Sequence, residues 1–157
     1  MTIRYAEEKD IPQLWEMMRD LAIFEKYIKT FKITEEIVLE IGFQKNPPDF
    51  HALVASENEE LLGMIVYYFI PYTATARPSL FIKELFVKEA HRSKKVGEKL
   101  MKRLAQEAKK QYCATIKWNV ASWNKAGLRF YERLGAYENK DWLNYELDEE
   151  TLLKLAD

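Results

Sequence analysis

Cysteine is nearly absent from this chain of 157 residues, in which Cys113 stands alone. Without a second cysteine an intrachain disulfide is impossible, and a thiolate metal cluster is excluded. The two histidines, His51 and His91, have no second ligand-type residue beside them at metal spacing, so no metal is expected. Long apolar runs are also missing. Leu61 to Ile70 covers about half of what a bilayer span requires, and Met1-Thr2-Ile3-Arg4 lacks the apolar segment of a secretory leader. A cytoplasmic protein without a membrane partner is expected. Nor does either charge dominate: 24 basic and 25 acidic side chains leave a formal net charge of −1. A nucleic-acid backbone would find no general field to bind, so no nucleic-acid partner is expected.

What is present is the composition of a compact domain, 48% apolar and 31% charged with five glycines and five prolines. One domain over residues 1–157 is expected, with no linker and no internal repeat. Thr2 to Tyr5 reads as a strand. Ile11, Leu14, Trp15, Met18, Leu21 and Ala22 then recur at helical steps, with Asp10 as the expected cap. Thr34 is placed to cap a second helix through Ile37, Val38 and Ile41, ending at Gly42. Phe50 to Glu57, Leu61 to Ile70 and Leu80 to Val87 read as an antiparallel meander, the first two joined at Asn58-Glu59-Glu60. An amphipathic helix follows over 94–110, then a strand over 115–120 and a helix over 124–134. Short strands are expected at 136–138 and 143–147, before a last helical turn capped by Asp148. The pattern is mixed α/β with a partly antiparallel sheet.

Two segments carry chemistry. In the first, Leu85-Phe86-Val87 ends a strand and Arg92-Ser93-Lys94-Lys95-Val96-Gly97 opens the amphipathic helix, gathering unpaired amides where a phosphate can sit. A solvated lysine-rich turn is the plainer reading of that loop taken alone. The second segment runs from Trp123-Asn124-Lys125-Ala126-Gly127 through Phe130-Tyr131 to Gly135-Ala136. Here Gly127, Phe130, Tyr131 and Leu134 fall at helical spacing, so packing alone would account for Tyr131, and capping alone for Asn124.

The first segment resembles the acetyl-CoA pyrophosphate loop R-x-x-G-x-G of the GNAT superfamily, and the second its W-N…F-Y…G-A block. Leu21-Ala22, Phe24-Glu25, Gly42-Phe43, Phe50 to Ala55, Tyr67-Tyr68-Phe69 and Leu152-Leu153-Lys154 extend the resemblance over nearly the whole chain, toward the spermidine/spermine (polyamine) and thialysine acetyltransferase branch. The resemblance implies an α/β GNAT fold, with a mixed, mostly antiparallel central sheet of about seven strands flanked by helices. It implies transfer of an acetyl group from acetyl-CoA, the co-substrate, to a primary amine of a small molecule such as a polyamine, diamine or thialysine-like amino acid. The amine attacks directly in a ternary complex, with Tyr131 protonating the departing CoA thiolate. Glu84 is the second catalytic candidate. The cofactor would lie on Leu85, Phe86, Val87, Arg92, Ser93, Lys94, Lys95, Val96, Gly97, Asn124 and Tyr131, and the amine on Glu25, Lys83 and Glu84. A homodimer is also implied, with Trp142, Leu143 and Tyr145 as candidate surface.

Two positions depart from the branch. Its strand motif carries paired acids, but Ile82-Lys83-Glu84-Leu85 has a lysine for the first of them, the one linked in the family to water-assisted deprotonation of the amine. Strand alternation would send Lys83 and Glu84 to opposite faces, so that only one of them could line the amine site. Lys95 stands where the loop has its first glycine, implying a different backbone shape there. These departures raise an alternative: a catalytically weak acyl-CoA-binding or regulatory module of the same fold.

Overall fold

In the computed structural model, which describes residues 1–157, the chain divides into two compact units, Met1–Ala121 and Ser122–Asp157. The first is built on a five-stranded sheet in the order β1 (Thr2–Tyr5), β2 (His51–Glu57), β3 (Glu60–Ile70), β4 (Ser79–Val87) and β5 (Thr115–Trp118). β2, β3 and β4 pair antiparallel, as the meander predicts; β1 also pairs antiparallel with β2, and β5 runs parallel to β4. Asn58 and Glu59, with φ of 50° and 68°, form the β2–β3 turn. Positive φ at both central residues gives a turn whose twist matches that of the strands it joins.

Three helices cover the sheet: α1 (Ile11–Phe24), α2 (Glu35–Leu39), which continues into a wider turn over Glu40–Gln44, and α3 (Val96–Lys110). On one face Leu14, Met17, Met18 and Leu21 of α1 and Val38 of α2 pack against Ala52, Val54, Met64, Val66 and Phe86. α3 covers the other face with Val96, Leu100 and Leu104, all buried. A Cβ on Gly63 would lie 3.2 Å from Val96 Cγ1 and 2.9 Å from the Phe86 carbonyl oxygen, so a residue without a side chain lets α3 start close to the sheet. Each fully buried leucine contributes about 1.5–3 kcal/mol.

Thr34 caps α2 as expected, its Oγ1 accepting from Ile37 N at 3.2 Å. Asp10 does not cap α1. Its carboxylate turns back toward the short helical turn at Glu8–Asp10, accepting from Glu7 N at 2.8 Å and from both terminal nitrogens of Arg4 at 2.6 and 2.9 Å. Charge-assisted bonds from a fork-shaped donor outcompete a single amide.

The second unit contains α4 (Lys125–Arg133) and α5 (Glu149–Ala156). Gly135, at φ 87°, ends α4: its N–H bonds Glu132 O, and that of Ala136 bonds Tyr131 O. Asp148 caps α5, its Oδ1 accepting from Thr151 N at 2.8 Å. The strands expected at 136–138 and 143–147 are absent, which leaves five strands rather than about seven. A strand exists only with a ladder partner, and no strand of this chain pairs with either segment.

Burial opposes ionisation of Asp10, yet the bonds from Arg4 and Glu7 outweigh it and hold the carboxyl below its usual range. Asp10→Ala is expected to cost about 2 kcal/mol, because it strands a partly buried Arg4, as read from urea unfolding at neutral pH. A depressed carboxylate contributes above its unfolded pKa and loses that contribution as pH falls through the folded one. The gap between wild type and variant should therefore close in acid; a gap constant down to about pH 2 would contradict the assignment.

Candidate active site

The site of the first unit begins with an irregularity in β4. Glu84 stands opposite Val66 and Ile82 opposite Tyr67, so Lys83 is an extra residue with no partner on β3. Such a bulge breaks the two-residue alternation. Ile82 stays on the face of Tyr67, while Glu84 shifts to the face of Val66 and Phe86, under α1. Regular alternation would admit only one of Lys83 and Glu84 to the site; the bulge removes that restriction. Lys83 is exposed, and its charge acts on both Glu84 and Glu25.

Glu25 is placed by the end of α1. Lys26, at φ 67°, bonds Ile23 O through its N–H, and Tyr27 N bonds Ala22 O at 2.9 Å, a helix stop that turns the chain sharply after Glu25. Glu25, Tyr27, Lys83 and Glu84 form one electrostatic cluster. Glu84 is pushed up to about 7, first by burial and further by the negative Glu25, against the opposing pull of Lys83. Glu25 is raised by burial, again opposed by Lys83. Tyr27 is pushed up to about 12 by burial and by the two carboxylates, so its phenol holds its proton at neutral pH. Glu84 Oε2 is enclosed and has no hydrogen-bond partner. An enclosed acceptor without a donor costs about 1–3 kcal/mol, and an ammonium group or a water would relieve that cost. The sequence named Glu25, Lys83 and Glu84 for the amine, and the fold brings all three together. It did not name Tyr27, since a tyrosine two residues past a helix end carries no signal until the helix stop is seen.

Beyond the bulge, β4 is open along one edge. β5 pairs with it only over Ser79–Ile82. Lys88 N donates to Leu62 O of β3 at 2.9 Å, so alternation turns the N–H and C=O groups of Leu85 and Val87 outward. An extended arm with amides of its own can pair there as an added strand would. The Phe86 and Val96 side chains, also named for the cofactor, are core, which leaves their backbone for that purpose.

The loop Arg92–Gly97 enters α3 through two left-handed residues, Ser93 at φ 64° and Lys95 at φ 61°, ψ 18°. The different backbone shape expected at Lys95 does not occur; the lysine takes the conformation that glycine favours. No side chain caps the start of α3, and Lys94 and Lys95 directly precede its first N–H groups, a setting suited to an anion. Arg92 lies over the rings of Phe24 and Phe86, at 5.5 and 5.8 Å, and its Nε donates to Val87 O at 3.0 Å. It borders a cleft of about 460 Å³ that Asp20, Phe24, Phe86 and Glu89 also line.

In the second unit Asn124 caps α4, its Oδ1 accepting from Gly127 N at 3.0 Å. A Cβ on Gly127 would come within 2.5 Å of Asn124 Nδ2, so glycine there is a condition of the cap. Tyr131 lies two turns on, half-buried and edge-on to Phe130 at 5.3 Å.

Comparison with known proteins bears on these features. The profile of the acetyltransferase (GNAT) family matches residues 13–136. Over 165 aligned positions the chain is 34% identical to thialysine N-epsilon-acetyltransferase of Mus musculus, covering 98% of this chain and 96% of that one. It is 28% identical to spermidine/spermine N(1)-acetyltransferase-like protein 1 of Homo sapiens, covering 98% of this chain but 23% of the human protein. Among solved structures, an integron cassette protein from the mobile metagenome of V. cholerae superposes with a TM-score of 0.80 at 23% identity, over 99% of this chain and 96% of that one.

A lysine in the left-handed region is strained relative to glycine. Lys95→Gly is expected to stabilise the protein by about 0.5–1 kcal/mol in urea unfolding, relief of strain outweighing the greater freedom of the unfolded chain. A variant no more stable than wild type would show that the loop carries no strain at this position.

Proposed function

The chain belongs to the acetyltransferase (GNAT) family and is an acetyl-CoA-dependent N-acetyltransferase, and we propose that its acceptor is a primary amine on a small molecule: a polyamine, a diamine or a thialysine-like amino acid. The observation that carries this reading is the enclosed, partnerless Glu84 Oε2 beside Glu25. An ammonium group entering there gains a hydrogen-bond acceptor and a second carboxylate at once. With its carboxyl pushed up to about 7, Glu84 can take the proton that the amine must lose before it attacks. The bound thioester supplies an acetyl carbonyl for direct attack within a ternary complex. Tyr131 is the proposed proton donor to the leaving thiolate, because a phenol hydroxyl can donate to a developing anion. The outward backbone groups of Leu85 and the N–H of Val87, whose carbonyl already accepts from Arg92, would hold the pantetheine arm, while the loop from Arg92 to Gly97, with Asn124, would hold the remainder of CoA.

Lys83 bears on which amine is taken. A second cation about 4 Å from an ammonium group costs about 4 kcal/mol at an effective dielectric of 20, less where water screens it. An acceptor less cationic than spermidine suits the site better, and one bearing a carboxylate would turn Lys83 from an obstacle into a partner. The similarity to a protein named for thialysine, an amino acid, agrees with this preference.

We also propose that the domain spans residues 1–157, works in the cytoplasm and acts as a homodimer. Trp142, Leu143 and Tyr145 are 79%, 81% and 90% exposed, an apolar surface of the kind that a second subunit covers.

The test of the activity is CoA-thiol release from acetyl-CoA with spermidine, simple diamines and thialysine-like amino acids. Turnover is expected with the amino acids above the polyamines, and Tyr131→Phe is expected to lower kcat at least about 100-fold. Silence with every acceptor despite tight acetyl-CoA binding would favour the acyl-CoA-binding module instead. For the assembly, sedimentation should show a dimer in the wild type and a monomer in Trp142→Glu/Tyr145→Glu; a fully active monomeric wild type would remove the dimer.

A further inference from the structure

The bulge does more than move Glu84 under α1: it leaves a cation one residue away, on a stretch of strand that pairs with nothing on β3. We propose that Lys83 is a positioning residue whose charge, set against that of Glu25, favours the ionised form of the Glu84 carboxylate, the form able to accept a proton from the amine. This rests on the reading of Glu84 as the proton acceptor.

Consider Glu84 without Lys83. The carboxylate sits beside the half-buried Glu25 with one oxygen sealed from solvent. Two carboxylates sharing a desolvated site do not both ionise readily, and one of them holds a proton into the neutral range. If that one were Glu84, it would arrive at the reaction already protonated and could accept nothing. The charged and titratable groups that act on Glu84 are few. Lys83 lies on its own strand, Glu25 at the end of α1, and Tyr27 on the segment that follows; β3 presents apolar Val66 directly opposite. Tyr27 stays neutral across the working range, so the balance is set by one cation and one anion. They act in opposite senses, Lys83 favouring the charged carboxylate and Glu25 the neutral one. Lys83 is exposed, so its ammonium group stays in water while its field reaches the enclosed carboxylate. A lysine buried in the same place would itself be pressed to lose its proton.

The two neighbours therefore predict shifts of opposite sign. In the full-length protein with a single acceptor, Lys83→Gln removes the group that favours the charged form, so the acid limb of kcat/KM should move to higher pH, by about half a unit to one unit after solvent screening. Glu25→Gln should move it to lower pH, and Lys83→Arg should leave it at the wild-type position. A residue acting only through packing would change the height of these curves and leave the limb in place. The same titration can be read without turnover, from the side-chain carboxyl ¹³C signal of Glu84, assigned with Glu84→Gln. Matching shifts in both measurements are the expected result. A Glu84 signal that titrates at the same pH in wild type and Lys83→Gln overturns the inference whatever the turnover. If no protein turns over but the signal shifts as expected, the charge coupling stands and the catalytic reading of Glu84 fails.

Discussion

One extra residue in β4 governs the layout of this protein. Up to Ile82 the strand is held on both sides, antiparallel to β3 and parallel to β5. At Lys83 the register slips, and from Glu84 onward one edge has no partner on β5 while the faces of the strand are exchanged. Slips of this kind cost a little ladder hydrogen bonding and re-aim the side chains beyond them. Here the slip turns an ionisable residue into the layer beneath α1 and leaves Leu85 and Val87 with outward backbone groups. The same bulge thus lies between an enclosed carboxylate and an open edge of β4, the two features on which the proposed amine and CoA sites rest.

Around that strand the first unit is arranged so that ends of helices, rather than their middles, meet the chemistry. α1 stops just before Lys26 in a left-handed turn that places Glu25 and Tyr27, and α3 starts just after Lys95 in another. Helix ends are where backbone groups lack partners and where the chain changes direction within a few residues. The cluster around Glu84 has one cation against two carboxylates, both raised by burial and both drawn back by Lys83. With its small net charge, the molecule depends on this local arrangement rather than on an overall field.

The second unit carries the other recognisable block. Asn124 and Gly127 fix the start of α4, Gly135 fixes its end, and Tyr131 is held between them. Beyond α4 the apolar side chains of Tyr137, Trp142, Leu143 and Tyr145 are mostly exposed. Leu143, Tyr145 and Leu147 alternate with polar residues as a half-buried strand requires, but pairing needs a partner edge, and none within this chain takes that part.

By itself the sequence determined most of the local structure. Helical spacing from Ile11 to Ala22, the caps at Thr34, Asn124 and Asp148, and the three central strands were legible because periodicity and capping act over a few residues. The loop from Arg92 to Gly97 and the block from Trp123 to Ala136 pointed to acetyl-CoA chemistry without any structure. What only the tertiary structure decided depends on partners distant in the chain. Asp10 went to Arg4 instead of capping α1, because the competing donor is a folded neighbour. The two short strands near the end found no ladder. The alternation that separated Lys83 from Glu84 failed because a bulge exists only relative to a facing strand, and no property of Ile82-Lys83-Glu84 announces it. The identity of Glu84 was readable; its burial, its missing hydrogen bond and its place between Lys83 and Glu25 came from packing three segments far apart in the sequence against one another.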